Sequence, residues 1–167
     1  RFLQKQRVLE DFDVLVMDVL GDVVCGGFAV PLTRGLAGRV AIVVSDTLMS
    51  MYAANNIARA VRRYQRNGIG LAWLIVNAVR QPKRLKELEA FAPRLTTRIL
   101  LTVPSCDEIA EAERRSVPVS AHVPGGELDR GFARLARNLL AVDPRKCPTP
   151  TPMIDDEWDQ FARGLSS

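Results

Sequence analysis

The chain has 167 residues, of which 47% are hydrophobic and 25% charged, and its formal net charge of +4 is modest. This is the balance of one ordinary globular domain. The longest apolar runs, such as Val40 to Val44 and Leu71 to Val76, have the length of strands, so we expect no membrane span and a cytoplasmic protein. The arginines have no interleaved aromatic residues, so nucleic acid is not an expected partner.

The first predicted element is a buried strand from Phe12 to Asp18, followed by a glycine-rich turn that carries one cysteine. The carboxylate of Asp18 ends the strand, at the place where open α/β sheets bind their ligands. Gly21, together with the two glycines after Cys25, allows a tight turn and a close approach of the backbone to a bulky group. The pattern therefore indicates a ligand site, although a lone cysteine in such a loop is by itself most often an inert buried thiol.

Strands and helices alternate along the rest of the chain. Apolar runs without polar alternation are typical of parallel strands buried on both faces. The pattern predicts a doubly wound α/β fold with a mostly parallel sheet. Further strands are predicted over Arg39 to Ser45, Leu71 to Asn77 and Arg98 to Val103, and helices over Leu48 to Arg66, Lys83 to Ala92, Asp107 to Arg115 and Leu128 to Leu140.

The three cysteines, at positions 25, 106 and 147, are too few and too scattered for a disulfide framework or a zinc site. No Cys-x-x-Cys pair occurs in the sequence, so we do not expect an iron–sulfur centre held within one chain.

Two sequence blocks carry a family resemblance. The run DVLGDVVCGGFAVPL, from Asp18 to Leu32, closely resembles the switch II and cluster-ligand segment of the nitrogenase iron protein family. A second block, Met51 to Ala58, follows at the distance seen in that family. The resemblance extends from about Phe12 to about Val142 and implies a sheet of the P-loop NTPase type.

The resemblance also implies that the fold is incomplete at its N-terminal side. Family members begin with a phosphate loop ending in Lys-Ser or Lys-Thr and carry a first cluster cysteine, and no Gly-Lys-Ser or Gly-Lys-Thr occurs in this sequence. We therefore expect residues 1–142 to be the C-terminal part of an iron-protein-like nucleotide-binding domain, inactive alone, without MgATPase activity or a stable cluster. Residues 143–154 are expected to form a proline-rich linker, and residues 155–167 a short amphipathic tail that is either docked, as Trp158 and Phe161 favour, or disordered.

The function implied by the resemblance is that of an ATP-dependent iron–sulfur reductase. Such a protein takes electrons from a ferredoxin or flavodoxin and delivers them to a nitrogenase-type catalytic partner. It works as a homodimer with MgATP and one 4Fe-4S cluster that bridges the two subunits. The block around Tyr52 is more similar to the dinitrogenase-reductase branch than to the chlorophyll-synthesis branches. Alternatives are a stand-alone regulatory or partner-binding protein that does not hydrolyse ATP, a reductase of a tetrapyrrole- or sulfur-compound-reducing system, or a decayed paralogue.

The resemblance assigns roles to the residues of the glycine-rich segment. Asp18 matches the strand-end aspartate that orders the magnesium-bound water or relays hydrolysis. Gly21 and Asp22 match the hinge that senses the γ-phosphate, and Cys25 matches the second of the two cluster cysteines. An aspartate at a strand end is also a common turn cap, and Asp22 can equally be a solvated surface residue.

A second group of residues is assigned to the nucleotide base. Asn77 matches a base-contacting asparagine, although asparagine at a strand end is more often a plain turn former. Pro104 and Asp107 match the loop that closes over the base and ribose. Here the chain departs from the family pattern Pro-Arg-Asp, because Ser105 and Cys106 follow the proline and Asp107 is displaced by one position. The single histidine, His122, is predicted to lie in a surface loop.

Overall fold

The computed structural model of the protein describes residues 12–19, 32–33 and 37–165. Its elements in chain order are β1 (Arg39–Val44), α1 (Leu48–Tyr64), β2 (Gly70–Val79), α2 (Pro82–Arg94), β3 (Ile99–Pro104), α3 (Asp107–Arg114), α4 (Val119–His122), α5 (Glu127–Ala141) and α6 (Asp155–Leu165), with 3₁₀ turns at Gln65–Asn67 and Pro144–Lys146. The strands and helices predicted between residues 39 and 141 are confirmed to within a few residues at their ends. The short helix α4 was not predicted, and His122 is its last residue rather than part of a loop.

The three strands of the described part form one parallel sheet in the order β1-β2-β3. In the register of this sheet, Val40 lies beside Leu71 and Leu74 lies beside Ile99. Each connection between consecutive strands is a helix, as parallel pairing requires. The α/β fold with a parallel sheet is confirmed, and it is consistent with a P-loop NTPase type of fold.

Helices cover both faces of the sheet. The main core joins β1 and β2 to α1, α2 and α6, and its fully buried members include Val44, Met51, Leu74, Leu88 and Phe91. On α1, the buried residues Met51, Ala54, Ala58 and Val61 recur at helical spacing, which turns one stripe of the helix toward the sheet. A second cluster on the opposite face joins Leu101 and Val103 of β3 to Leu128, with the partly buried Phe132 and Leu135, on α5.

The predicted strand from Phe12 to Asp18 is wrong for these residues. The structure describes no strand there, and the side chains of Phe12 and Val16 are 66% and 83% exposed. An apolar run becomes a buried strand only where a neighbouring strand accepts its ladder of hydrogen bonds. Within the described ranges β1 pairs with β2 alone, and Met17 and Val19 only line a small cavity against Val40.

The C-terminal segment packs against α1 and α2. Between the 3₁₀ turn and α6 the chain has no regular secondary structure, and Pro150 and Met153 are buried. Trp158 of α6 is 7% exposed, and its ring centroid lies 5.3 Å from that of Tyr52 and 6.3 Å from that of Phe91. Phe161 completes this aromatic cluster at 5.9 Å from Trp158. The docking that Trp158 and Phe161 predicted is therefore confirmed.

Candidate functional site

The carboxyl ends of the three strands meet at one edge of the sheet, where the loops that follow them are tied together. Asp46, after β1, accepts a hydrogen bond at its Oδ2 from the backbone N–H of Arg80, after β2, at 3.1 Å. The backbone N–H of Ser105, after β3, donates to the carbonyl of Val79 at 3.1 Å. The loops thus form one connected rim above the strand ends, which is the position where open α/β sheets bind ligands.

The turn between β1 and α1 is held by hydroxyl groups. Thr47 is the N-cap of α1, and its Oγ1 accepts a hydrogen bond from the backbone N–H of Ser50 at 3.2 Å. The hydroxyl of Ser50 in turn accepts from the backbone N–H of Ser45 at 2.9 Å. Ser45, Asp46 and Thr47 are all plausible caps in the sequence, and the structure selects Thr47 for the helix and Asp46 for the neighbouring loop.

Asn77 lies near the end of β2 and is exposed at this rim. The next residue, Ala78, has a φ of +57°, in the left-handed region that costs a residue with a side chain about 1–2 kcal/mol. The register between β2 and β3 shifts at the same point, so that Asn77 lies beside Val103 and Val79 lies beside Pro104. Thr96 and Ser116, which follow helices away from the rim, have the same left-handed φ, so this conformation does not by itself mark a ligand site. No feature of an alanine in the sequence predicts it.

Pro104 and Asp107 lie on the same rim as Asn77. Pro104 is the exposed last residue of β3, and Asp107 is the exposed first residue of α3. Asp107 and Glu108 place two carboxylates in the first turn of α3, where the helix dipole favours negative charge. The structure thus brings together Asn77, Pro104 and Asp107, the three residues that the resemblance assigns to a nucleotide base.

The other predicted site residues are not assembled in the described part of the chain. Asp18 is exposed in a segment without regular secondary structure. Gly21, Asp22 and Cys25 lie outside the described residues.

The two described cysteines are free thiols at opposite ends of the sheet. Cys106 is the N-cap residue of α3 at the carboxyl rim. Cys147 packs beside Gly70, the first residue of β2, so closely that a Cβ on Gly70 would lie 2.8 Å from the Cβ of Cys147. At about 3.3 Å per residue, a ten-residue strand separates the two ends by about 30 Å. These two thiols cannot share one cluster, and the described ranges contain no cluster of three or more possible metal ligands.

A comparison with known protein families decides the relationship that the motifs suggest. Residues 1–165 match the family of 4Fe-4S iron sulfur cluster binding proteins known as the NifH/frxC family. The chain belongs to this family. The predicted resemblance is confirmed, and the match also includes the C-terminal segment beyond Val142, where the resemblance was expected to end.

Membership gives the general chemistry of the protein. NifH/frxC proteins are iron–sulfur electron-transfer reductases that bind a 4Fe-4S cluster and MgATP. They work as homodimers that deliver electrons to a nitrogenase-type partner. Among residues 37–165 and the shorter described stretches, no helix combines the length and the apolar character needed to cross a bilayer.

Proposed function

We propose that this chain is the nucleotide-responsive and cluster-bearing part of an ATP-dependent reductase, which passes electrons from a ferredoxin or flavodoxin to a nitrogenase-type catalytic component. The observation that carries the proposal is the family match over residues 1–165, which includes the glycine-rich segment around Cys25. The arrangement of the rim residues supports it, because they stand where a nucleotide is bound in open α/β folds.

In this proposal Asn77, Pro104 and Asp107 hold the base and ribose. An asparagine amide offers both hydrogen-bond donors and acceptors, which suits the polar edge of a base. Pro104 gives a rigid apolar surface against the ring, and the carboxylate of Asp107 can accept a hydrogen bond from a ribose hydroxyl. The tie between Val79 and Ser105 keeps the loops that carry these groups at a fixed separation.

Cys25 is proposed to donate one thiolate to a 4Fe-4S cluster shared between two copies of the protein. Such a cluster supplies the one-electron redox chemistry when it is bound. The described thiols, Cys106 and Cys147, are separated by the length of β2 and do not fit this role. Cys25 is four positions after Gly21 in the sequence. Because so few residues lie between them, a change of backbone conformation at the hinge formed by Gly21 and Asp22 should displace the Cys25 thiolate directly. Asp18 is proposed to order the magnesium-bound water.

The base assignment is tested by saturation-transfer NMR with MgADP on the full chain. We expect saturation of the adenine protons in the wild type and its loss in Asn77→Ala. The matched control is Asn138→Ala on α5, far from the rim, which should leave the signal unchanged. Equal signals in wild type and Asn77→Ala would contradict the assignment.

The cluster assignment is tested in the longest open reading frame that contains this sequence. After anaerobic reconstitution we expect about four iron atoms for each pair of chains. Cys25→Ser should lose this iron, whereas Cys147→Ser, which removes a thiol of the same kind at the amino end of the sheet, should keep it. Retention of iron in Cys25→Ser would remove this residue from the cluster.

A further inference from the structure

A groove of about 1080 Å³ runs along the outer edge of β3. Its floor is the strand itself, from Ile99 to Pro104, and its walls are α2 on one side and α5 on the other. The volume lies slightly above the range of about 300–1,000 Å³ found for small-molecule pockets. An elongated space of this kind suits an extended chain better than a compact ligand.

The floor of the groove is the outer edge of β3. Within the described ranges β3 pairs only with β2, and no described strand lies beside its other edge. The carbonyl of Arg98 accepts from the N–H of Leu74 and therefore points to β2. Successive carbonyls of a strand point to opposite edges, so that of Ile99 points into the groove. The register with β2 shifts by one residue between Ile99 and Leu101, so the alternation does not continue unbroken beyond Ile99. An open strand edge of this kind is a template for a further strand.

The groove is lined by four arginines, Arg98, Arg130, Arg134 and Arg137, and by three glutamates, Glu89, Glu108 and Glu127. Helix α5 runs from the carboxyl edge of the sheet, where a Cβ on Gly126 would lie 3.3 Å from the Oε1 of Glu108, to the amino edge, where Val142 accepts a hydrogen bond from Arg39. Arg137 on α5 and Arg98 before β3 therefore lie toward the amino edge, and Arg134 lies at the middle of α5. All three are exposed, and together they are called the basic end of the groove.

The basic end is available for a ligand. No side-chain hydrogen bond or ion pair within the described residues engages Arg98, Arg134 or Arg137. Arg130, in the first turn of α5, already donates a hydrogen bond to the carbonyl of Gly125. On the opposite wall, α2 contributes the exposed Pro93, the almost fully buried Ala92 and, about one turn earlier, the exposed Glu89.

We propose that this groove binds an extended acidic segment of a partner protein as an additional strand beside β3. Neighbouring side chains of a strand point to opposite faces. One set, carrying carboxylates, would face the arginines of α5, and the alternate set, small and apolar, would face Ala92 and Pro93 of α2. The groove meets the rim at Pro104, but the arginines on which this proposal rests lie away from Asn77, so the proposal does not depend on the proposed function.

A second copy of this chain is a less suitable occupant. The open edge of β3 lies at the bottom of a groove between two helices. Two such edges can pair with each other only if the walls formed by α2 and α5 move apart. A single extended segment enters without that change.

The test uses the full chain and a fluorescein-labelled octapeptide of alternating glutamate and valine, with fluorescence anisotropy as the measurement. We expect saturable binding that weakens with added salt, and no binding of the octapeptide in which lysine replaces glutamate. The double variant Arg134→Glu, Arg137→Glu should weaken binding by about tenfold or more, because it reverses the charges that face the peptide. The control variant Arg62→Glu, Arg66→Glu makes the same change of net charge on α1 and its 3₁₀ extension, outside the groove, and should bind as the wild type.

A second measurement separates strand addition from simple attraction of charges. Octapeptides methylated at alternate backbone nitrogens, in both registers, keep the charge but lose the donors along one edge. One register should lose binding while the other keeps it. Equal binding of both registers, or of the lysine peptide, would overturn the proposal. Concentration-dependent dimerisation that Arg134→Glu, Arg137→Glu abolishes would also overturn it, and would assign the groove to a second copy of the chain.

Discussion

Asn55 and Met153 exchange two hydrogen bonds across 98 residues of sequence: Asn55 Nδ2 donates to the Met153 carbonyl at 2.9 Å, and the Met153 N–H donates to Asn55 Oδ1 at 2.8 Å. Asn55 is fully buried. The same carbonyl also accepts from Arg59, whose guanidinium pairs with Asp155 at 2.8 Å. Side chains of helix α1 thus hold the C-terminal segment through the main-chain atoms of Met153.

Asn55→Ala should lower the free energy of unfolding by about 1–3 kcal/mol, because it leaves the buried N–H of Met153 without a partner. Urea denaturation measures the change. The adjacent Asn56→Ala is the control, since Asn56 is half-buried and makes no side-chain hydrogen bond among the described residues, and it should change stability by less than about 0.5 kcal/mol. Equal effects of the two substitutions would show that the exchange with Met153 does not contribute.

Trp158→Ala should cost about 3–5 kcal/mol of stability, the usual range for truncating a buried tryptophan. The residue packs against Tyr52, Phe91 and Phe161, so its loss leaves a cavity between α6 and the two helices beneath it. Ile154→Ala, at a side chain that is 62% exposed, should have little effect. An unchanged thermal midpoint for Trp158→Ala would mean that α6 is not docked in solution.

The same substitution at two glycines should have opposite signs. In Gly70→Ala, the added Cβ would lie 2.2 Å from the carbonyl oxygen of Pro144, a backbone atom, so the strand or the turn must move at a cost of about 1–3 kcal/mol or more. In Gly164→Ala on α6, the Cβ meets nothing within 4 Å, and the better helix propensity should add up to about 1 kcal/mol. Differential scanning calorimetry of the two variants gives both signs, and stabilisation by Gly70→Ala would refute the close packing of β2 on the 3₁₀ turn.

The thiol of Cys147 should react with iodoacetamide at a higher pH than an ordinary cysteine. Burial raises the pKa of Cys147, and the nearby carboxylate of Asp143 raises it further. The stability contributed by the neutral thiol is complete below the pKa of the unfolded chain and is lost as the pH rises to the raised pKa of the folded state.

This shift is measured in a variant that keeps only this cysteine, Cys25→Ser, Cys106→Ser. Its alkylation midpoint in the folded protein should lie above the midpoint in the urea-unfolded protein. Asp143→Asn should reduce the difference without removing it, because burial is the larger cause. A folded midpoint at or below the unfolded one would contradict the predicted direction.

The regular core was predictable because its signals are local. The apolar stripe of α1 and the strand-length runs of β2 and β3 follow from spacing and composition alone. The run from Phe12 to Asp18 has the same composition as those strands, yet it forms none, because a strand also needs a neighbour and composition does not encode one.

The rim shows the same division between local and distant information. Asn77, Pro104 and Asp107 could be named from motifs, since their positions at strand ends are visible in the sequence. The left-handed backbone at Ala78 and the hydrogen bond from Arg80 to Asp46 could not, because both arise from the meeting of loops that are distant in sequence.

The contact between Asn55 and Met153 also constrains how the C-terminal segment can change over evolutionary time. An asparagine that binds a main-chain amide does not distinguish one residue type from another. The composition of the segment can therefore drift, provided that its buried positions stay apolar. Its length cannot drift in the same way, because one inserted or deleted residue between Cys147 and Met153 would move the amide away from its partner.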